Sequence, residues 1–160
     1  MPKFALELKF TCENLRELSP SYPCFRWLLK LKCTGCGEMT DKWQYIIEEE
    51  KFEIPSSRGQ ANFLCKCKLC GEQSSVDIIK NSTRSYKTDL TQMWQRMVVF
   101  DCRGMEPIDY NPDGGWTVVS SKSNATYEYI SLDENEWLEY DEEGRVQLSI
   151  GSVEHRFVRV

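Results

Sequence analysis

The chain has no long apolar run and only one histidine. None of its apolar runs approaches the roughly 18 residues that a membrane-spanning helix needs, and residues 1–9 alternate apolar with charged side chains, unlike a signal peptide. These absences exclude the ordinary membrane and secreted classes, so we expect a cytoplasmic protein, with the nucleus as the alternative. With His155 as the single histidine, the choice of general base for an enzyme is also narrow.

Helix signals and low-complexity tracts are scarce as well. Only residues 88–94 and 133–140 have a capping residue followed by helix-compatible side chains. No Pro-rich or Ser-rich tract divides the chain. A chain of 160 residues with 41% hydrophobic content has the size of one ordinary domain and can bury one core. We therefore expect residues 1–160 to form a single domain.

Apolar side chains recur at every second position, which is the period of a half-buried strand. Residues 4–12 and 25–33 both follow this pattern. We predict an all-β fold, a single compact domain of two packed antiparallel sheets that resembles a sandwich. Further strands are predicted at residues 43–49, 62–67, 75–80, 97–102, 116–120, 126–132, 145–150 and 153–160.

A weak internal repeat crosses the middle of the chain. Residues 28–35 and 97–104 both read as a strand that ends in Cys-x-Gly, which aligns Cys33 with Cys102. One interpretation is a duplication into two similar halves with a boundary near residues 81–92, in which the second half has lost its metal ligands. The other is that short apolar strands resemble one another by composition alone.

Eight cysteines are the most distinctive feature of the composition. Four of them lie in two segments of the same CxxCG form, residues 33–37 and 67–71. Two intervening residues let the backbone aim both sulfurs at one point, and the glycine that follows adopts positive φ without steric cost. Because four thiolates close a tetrahedral zinc site, we predict one structural Zn²⁺ in a zinc-ribbon-like site, held by Cys33, Cys36, Cys67 and Cys70.

Other functions of the thiols stay open at this point. CxxC is also the dithiol motif of thioredoxin-like proteins, so a thiol-dependent redox or metal-handling function is the alternative. Cys102 could act as a nucleophile if an adjacent base such as His155 lowered its pKa, although the sequence does not bring the two together. Of the remaining cysteines, Cys12 is expected in the core, Cys24 at the surface and Cys65 as a buried neighbour of the zinc site.

Charge is distributed unevenly along the chain. Residues 1–90 have a net charge of +2 and residues 91–160 a net charge of −7, which sum to −5. Nucleic acid is disfavoured because phosphate binding requires an excess of basic side chains. Residues 133–143 hold seven carboxylates and no basic residue, which fits either a solvated loop or a docking surface for a basic partner. We expect a monomer that binds protein partners and no membrane.

Several longer motifs resemble one family. They are Phe25-Arg26-Trp27, residues 33–45, Cys67-Lys68-Leu69-Cys70, and Cys102-Arg103-Gly104 followed by Glu106-Pro107. The chain resembles the eukaryotic CXXC motif containing zinc binding proteins, long described as a domain of unknown function, over essentially its whole length. The resemblance implies an all-β protein, one zinc on the four cysteines named above, and no established enzymatic activity. A non-catalytic interaction or adaptor module stapled by zinc is therefore the expected function.

Overall fold

The structure, a computed structural model, describes residues 2–21 and 24–160. Apart from one short 3₁₀ turn at Thr88–Leu90, the regular elements of these residues are strands, and no helix among them is long and apolar enough to cross a membrane. The predicted all-β class is confirmed. The strands are β1 Lys3–Glu13, β2 Leu15–Pro20, β3 Trp27–Cys33, β4 Gln44–Ile46, β5 Phe52–Glu53, β6 Gln60–Ala61, β7 Phe63–Lys66, β8 Gln73–Ile78, β9 Gln95–Arg103, β10 Met105–Asn111, β11 Trp116–Ser120, β12 Thr126–Ile130, β13 Trp137–Asp141 and β14 Val146–Arg159.

Neither segment with a helix signal forms an α-helix. Within residues 88–94 only the 3₁₀ turn forms, and residues 133–140 lead into β13. Five residue pairs join β13 to β14, from Trp137 with Ile150 to Asp141 with Val146. This cross-strand pairing outweighs the weak local helix preference, so the helix prediction for residues 133–140 is wrong.

The strands are divided among four antiparallel sheets. A six-stranded sheet has the order β13-β14-β1-β9-β8-β7, and two three-stranded sheets have the orders β10-β3-β4 and β12-β11-β2. The fourth sheet is the two-stranded ribbon β5-β6. One buried cluster takes side chains from the six-stranded and both three-stranded sheets, so these three sheets share a core.

Aromatic side chains fill the centre of that core. The indoles of Trp27 and Trp116 are 1% and 0% exposed. The ring of Phe25 lies 4.5 Å from Trp27 and 5.0 Å from Trp116, and Phe10 lies 5.6 Å from Trp116, all in edge-to-face contacts. Trp116 Nε1 donates a hydrogen bond to the Pro112 carbonyl at 2.7 Å, so the polar atom of this buried indole is satisfied.

The strand order contains an internal twofold repeat. Six strands of the first half correspond, in chain order, to six strands of the second. The first set is β1, β2, β3, β4, β7 and β8, and the second set is β9, β10, β11, β12, β13 and β14. Under this match the six-stranded sheet has the same order from either edge, with the β1–β9 pair at its centre. The three-stranded sheets also match, because β3 pairs with β10 as β11 pairs with β2. Each half therefore contributes its second strand to a sheet of the other half.

Backbone hydrogen bonds show which residue of one half corresponds to which residue of the other. Asn14 after β1 and Gly104 after β9 both have positive φ, +61° and +80°. The Ser121 amide donates to the Asn14 carbonyl at 2.9 Å, and the Thr34 amide donates to the Gly104 carbonyl at 3.1 Å. Thr34 therefore corresponds to Ser121, and the preceding residues, Cys33 and Ser120, correspond to each other.

This register corrects the repeat proposed from the sequence. Two similar halves are present, but the alignment of Cys33 with Cys102 is wrong. Cys102 pairs with Val76 on β8, and Cys12 pairs with Ile150 on β14, so Cys102 corresponds to Cys12. The sequence alignment was wrong because β3 and β9 are both apolar strands that end in a sharp turn with the pattern Cys-x-Gly. The two strands nevertheless occupy different places in the two halves.

Candidate metal centre

The first CxxC turn follows β3. The Gly37 amide donates to the Cys33 carbonyl at 2.9 Å, and the Cys33 amide donates to the Glu38 carbonyl at 2.8 Å. Gly37 has a φ of +83°, a conformation that glycine adopts without the Cβ clash of other residues. This is the role that the sequence predicted for the glycine. The turn reverses the chain and leaves both sulfurs on one side of it.

The second CxxC turn, between β7 and β8, repeats these contacts. The Gly71 amide donates to the Cys67 carbonyl at 2.9 Å, the Cys67 amide donates to the Glu72 carbonyl at 2.9 Å, and Gly71 has a φ of +75°. Two segments with the same CxxCG sequence thus have the same local geometry. We call each of them a knuckle, residues 33–37 and residues 67–71.

The two knuckles bring all four predicted ligand residues together. The Sγ atoms of Cys33, Cys36, Cys67 and Cys70 all lie within 4.8 Å of one another. Across the two knuckles, the Sγ–Sγ distance is 3.8 Å between Cys33 and Cys70 and 3.5 Å between Cys36 and Cys67. A tetrahedral ion with Zn–S bonds of about 2.3 Å would place its sulfurs about 3.8 Å apart. The donor set and its spacing therefore fit a zinc ion.

The cluster lies at the boundary between the core and solvent. Cys33 is buried, Cys67 is half-buried, and Cys36 and Cys70 are exposed. The Cys70 and Leu69 amides donate hydrogen bonds to the Cys67 sulfur and lower the pKa of this thiol to about 7. Such bonds favour the thiolate, which is the form that binds a metal.

The other cysteines take no part in the cluster. Cys24 is exposed, and Cys12 is partly buried against the core. Cys65 also packs partly against the core, and burial raises the pKa of its thiol. Cys24 is therefore at the surface as expected, whereas Cys12 and Cys65 are less buried than the sequence predicted.

Cys102 and His155 do not form a catalytic pair. Cys102 is 0% exposed, and burial, followed by the charge of Asp101, raises the pKa of its thiol to about 12. Its amide donates to the Pro2 carbonyl, whereas His155 lies opposite Leu8 on the same neighbouring strand. Six residues of extended chain separate these points by about 20 Å. His155 Nε2 instead lies 3.3 Å from Asp109.

The second half contains a hydrogen-bonded cluster where the first half has its cysteines. Ser120 and Ser123 correspond to Cys33 and Cys36, and Asp141 corresponds to Cys67. The hydroxyls of Ser120 and Ser123 donate to Asp141 Oδ2 at 2.5 and 2.7 Å, and the Gly144 amide donates to Asp141 Oδ1 at 3.0 Å. These bonds lower the pKa of Asp141, which is 1% exposed. Sequence reasoning missed this cluster, although the spacing Ser-x-x-Ser at residues 120–123 matches Cys-x-x-Cys.

Taken together, the fold and the site define an all-β protein in which two CxxC knuckles from separate strand pairs converge on one cluster of four thiols. The chain belongs to the family of eukaryotic CXXC motif containing zinc binding proteins, whose sequence profile matches residues 5–158. The family resemblance found in the sequence is confirmed. The family and the cluster together support a Zn²⁺ site.

Similar proteins occur in several organisms. A CXXC motif containing zinc binding protein of Xenopus laevis is 40% identical over 159 residues, 99% of each chain, and one of Homo sapiens is 38% identical over 99% of each chain. The crystal structure of C1orf123 superimposes with a TM-score of 0.91 at 38% identity, covering 99% of both chains. A hypothetical protein from Plasmodium falciparum, 24% identical, superimposes with a TM-score of 0.86 over 99% of this chain and 100% of its own, and shows the same fold.

Proposed function

We propose that this protein is a non-catalytic zinc-binding protein, in which one structural Zn²⁺ staples an interaction or adaptor module. Cys33, Cys36, Cys67 and Cys70 would hold the ion in a zinc-ribbon-like site. The first knuckle follows β3 in a three-stranded sheet, and the second joins β7 to β8 in the six-stranded sheet. The ion would therefore cross-link two sheets at one end of their shared core.

The second half carries the argument for a structural role. At the same place in that half, Ser120 at the end of β11 and Ser123 in the loop after it hydrogen-bond to Asp141 on β13 of the other sheet. The two sheets are thus linked at the same corner of each half, by hydrogen bonds in the second half and by the four cysteines in the first. A cross-link is what the two corners have in common, so we assign the ion the fastening function that Asp141 has in the other half.

A catalytic role has no support in the site. Zinc with four thiolate ligands has no open coordination position for a substrate. Cys102, the other cysteine considered as a nucleophile, is buried with a raised pKa and lies far from His155. The activity of the protein would then lie in the surface that the cross-link holds in place, and a protein is the partner that we propose.

Metal analysis of two cysteine variants tests the structural role. Cys70→Ser removes one ligand, so we expect its zinc content to fall from one ion per chain to near zero, together with solubility and cooperative unfolding, because structural zinc sites contribute roughly 10–16 kcal/mol to folding. Cys24→Ser is the matched control, because Cys24 is exposed and outside the cluster, and it should keep both. A Cys70→Ser protein that stays fully loaded and folded would contradict the proposal.

Metal handling is the second candidate, and the exposure of Cys36 and Cys70 favours it. A ligand that solvent can reach gives a chelator or an acceptor protein access to the ion. Thiol titration of the zinc-loaded Cys24→Ser protein separates the two functions, since that background removes the exposed thiol outside the cluster. A structural ion leaves no fast-reacting thiol, whereas a transferable ion exposes reactive cysteines within seconds of adding a chelator.

A further inference from the structure

A cleft lies beside the cysteine cluster, between the β7–β8 end of the six-stranded sheet and the segment at residues 38–44. Its volume is about 330 Å³. Side chains from both sheets line it, among them Leu31, Thr40, Cys65, Ser74 and Met105. This volume is at the lower end of the range for small-molecule sites, so an aromatic ring has room to enter.

The second half contains the same corner in a filled form. Thr40 and Tyr127 correspond, because Thr40 is hydrogen-bonded to Leu31 on β3 as Tyr127 is paired with Val118 on β11. Ser74 and Leu148 correspond, because they occupy the same register on β8 and β14, opposite Cys65 and Glu139. At both of these positions, the second half thus has a large side chain where the first half has a small one.

The larger side chains close that corner. The ring of Tyr127 lies 5.5 Å from the ring of Trp137 in an edge-to-face contact, and Leu148 is 0% exposed. In the first half, Thr40 has no ring to extend across the corner, and its hydroxyl accepts a hydrogen bond from the Leu31 amide at 3.0 Å. The cleft therefore occupies the space that an aromatic ring and a leucine fill in the other half.

The lining of the cleft favours an aromatic occupant. Three residues with sulfur-containing side chains, Met39, Met105 and Cys65, are among those that line it, and sulfur makes favourable contacts with ring edges. Three lysines and two carboxylates also line it: Lys42, Lys66, Lys68, Glu38 and Asp41. None of these lysines forms an ion pair with the described residues. An ammonium group close to a ring face adds a cation–π attraction, as Lys30 already has with Trp43 at 4.9 Å.

We propose that this cleft is a binding site for an aromatic ring of about the size of a tyrosine side chain, which takes the place that Tyr127 has in the second half. The ring would pack between Leu31 and Met105 on one wall and Cys65 on the other. Ser74, whose buried hydroxyl has no hydrogen-bond partner among the described residues, can offer that hydroxyl to a ring substituent by rotation about χ1. The inference is independent of whether the zinc ion is structural or exchangeable.

Titration of the zinc-loaded protein with p-cresol, the side-chain analogue of tyrosine, tests the site by NMR. We expect chemical-shift changes for the signals of Leu31, Cys65, Ser74 and Met105, and these changes should reach a plateau as the concentration of p-cresol rises. A tripeptide, N-acetyl-Ala-Tyr-Ala-amide, distinguishes the source of the ring. Tighter binding of the tripeptide assigns the site to a side chain of a partner protein, and equal or weaker binding assigns it to a free aromatic compound.

Filling the cleft as the second half does is the decisive variant. Thr40→Tyr combined with Ser74→Leu should weaken p-cresol binding at least tenfold while zinc content and spectral dispersion are kept. Thr126→Tyr, which adds a ring at an exposed position outside the cleft, is the matched control and should bind as the wild type does. If the double variant does not fold, Ser74→Leu alone serves the same comparison. Absence of saturable binding to the wild type, or unchanged binding to the filled variant, overturns the proposal.

Discussion

Single residues decide how the two corners of this fold are fastened. In the first half, glycines at positive φ close both knuckles and four thiols face one another. In the second half, Arg145 has a φ of +57° where Gly71 has +75°, and two serines, an aspartate and a glycine occupy the places of the four cysteines. At the second turn the positive φ is therefore retained while the chemistry of the cross-link has changed.

The cost of the knuckle backbone can be measured at Gly37. A Cβ added there would meet nothing within 4 Å, but φ is +83°, so Gly37→Ala should lower the free energy of unfolding by about 1–2 kcal/mol through backbone strain alone. Chemical denaturation of the zinc-loaded protein measures it. Gly151→Ala is the control, because a Cβ there also meets nothing and no positive φ is involved. Equal stabilities for the two variants would show that the turn is not strained.

Asp141 should give the protein a defined acid sensitivity. Hydrogen bonds from Ser120 and Ser123, and then from the Gly144 amide, lower its pKa from 3.8. A lowered pKa in the folded state stabilises the protein above the unfolded pKa, and this contribution is lost as pH falls below about 4 and through the folded pKa. Asp141→Asn should therefore flatten the decline of stability with pH below 4. Glu142→Gln, an exposed neighbour, should keep the wild-type slope, and a slope unchanged in both variants would rule out the assignment.

At the scale of elements, the knuckle is a unit that depends on few residues. The strands on either side of it pair in the same register in both halves, and even Gln73 and Gln147 make the same side-chain hydrogen bond, to the carbonyls of Cys65 and Glu139 at 3.3 Å each. The loop residues between these strands should therefore be exchangeable between halves.

Grafting the first-half residues onto the second half should create a second metal site. We expect two zinc ions per chain instead of one by elemental analysis. The grafted variant replaces the four ligand positions and the three positions at which the first half has a glycine. Two of these glycines, Gly37 and Gly71, have positive φ, and the third change removes the Lys122 side chain, since a Cβ at Gly144 would lie 2.7 Å from Lys122 Cβ. Omitting the substitution at Ser123 is the control and should return the content to one ion. The substitutions are Ser120→Cys, Lys122→Gly, Ser123→Cys, Asn124→Gly, Asp141→Cys, Gly144→Cys and Arg145→Gly.

At the scale of the whole molecule, the two halves depend on each other through exchanged strands. β2 pairs with β11, β3 pairs with β10, and β1 pairs with β9. Each half alone would leave the edges of these strands without partners. A sheet edge without its partner is poorly stabilised and prone to aggregation.

Fragments of the chain test this dependence. Residues 1–90 and residues 91–160, cut within the segment that joins β8 to β9, should each lack a cooperative thermal transition by circular dichroism. Zinc should not rescue the first fragment, although it contains all four cysteines, because the missing β9, β10 and β11 supply its strand partners. A cooperative transition for either fragment alone would show that the halves are independent domains.

Much of the fold and of the site was accessible from the sequence, for local reasons. Alternation along β1 and β3 predicted strands because burial of one face requires a period of two. The CxxCG spacing predicted each turn and its glycine because each depends on fewer than six consecutive residues. The grouping of the four cysteines was predicted instead from the four ligands that a tetrahedral zinc site requires. The exceptions were residues 133–140, where a helix-like sequence pairs as a strand, and the alignment of Cys33 with Cys102.

The order of residues alone predicts which segments are strands, which four cysteines meet and which family the chain belongs to. Three features become visible in the folded molecule: β9 repeats β1, Ser120, Ser123 and Asp141 form the counterpart of the thiol cluster, and an open cleft matches a filled corner. The cause is distance along the chain. Local patterns fix the conformation of neighbouring residues, whereas these three features arise from pairing and packing between strands that are many residues apart.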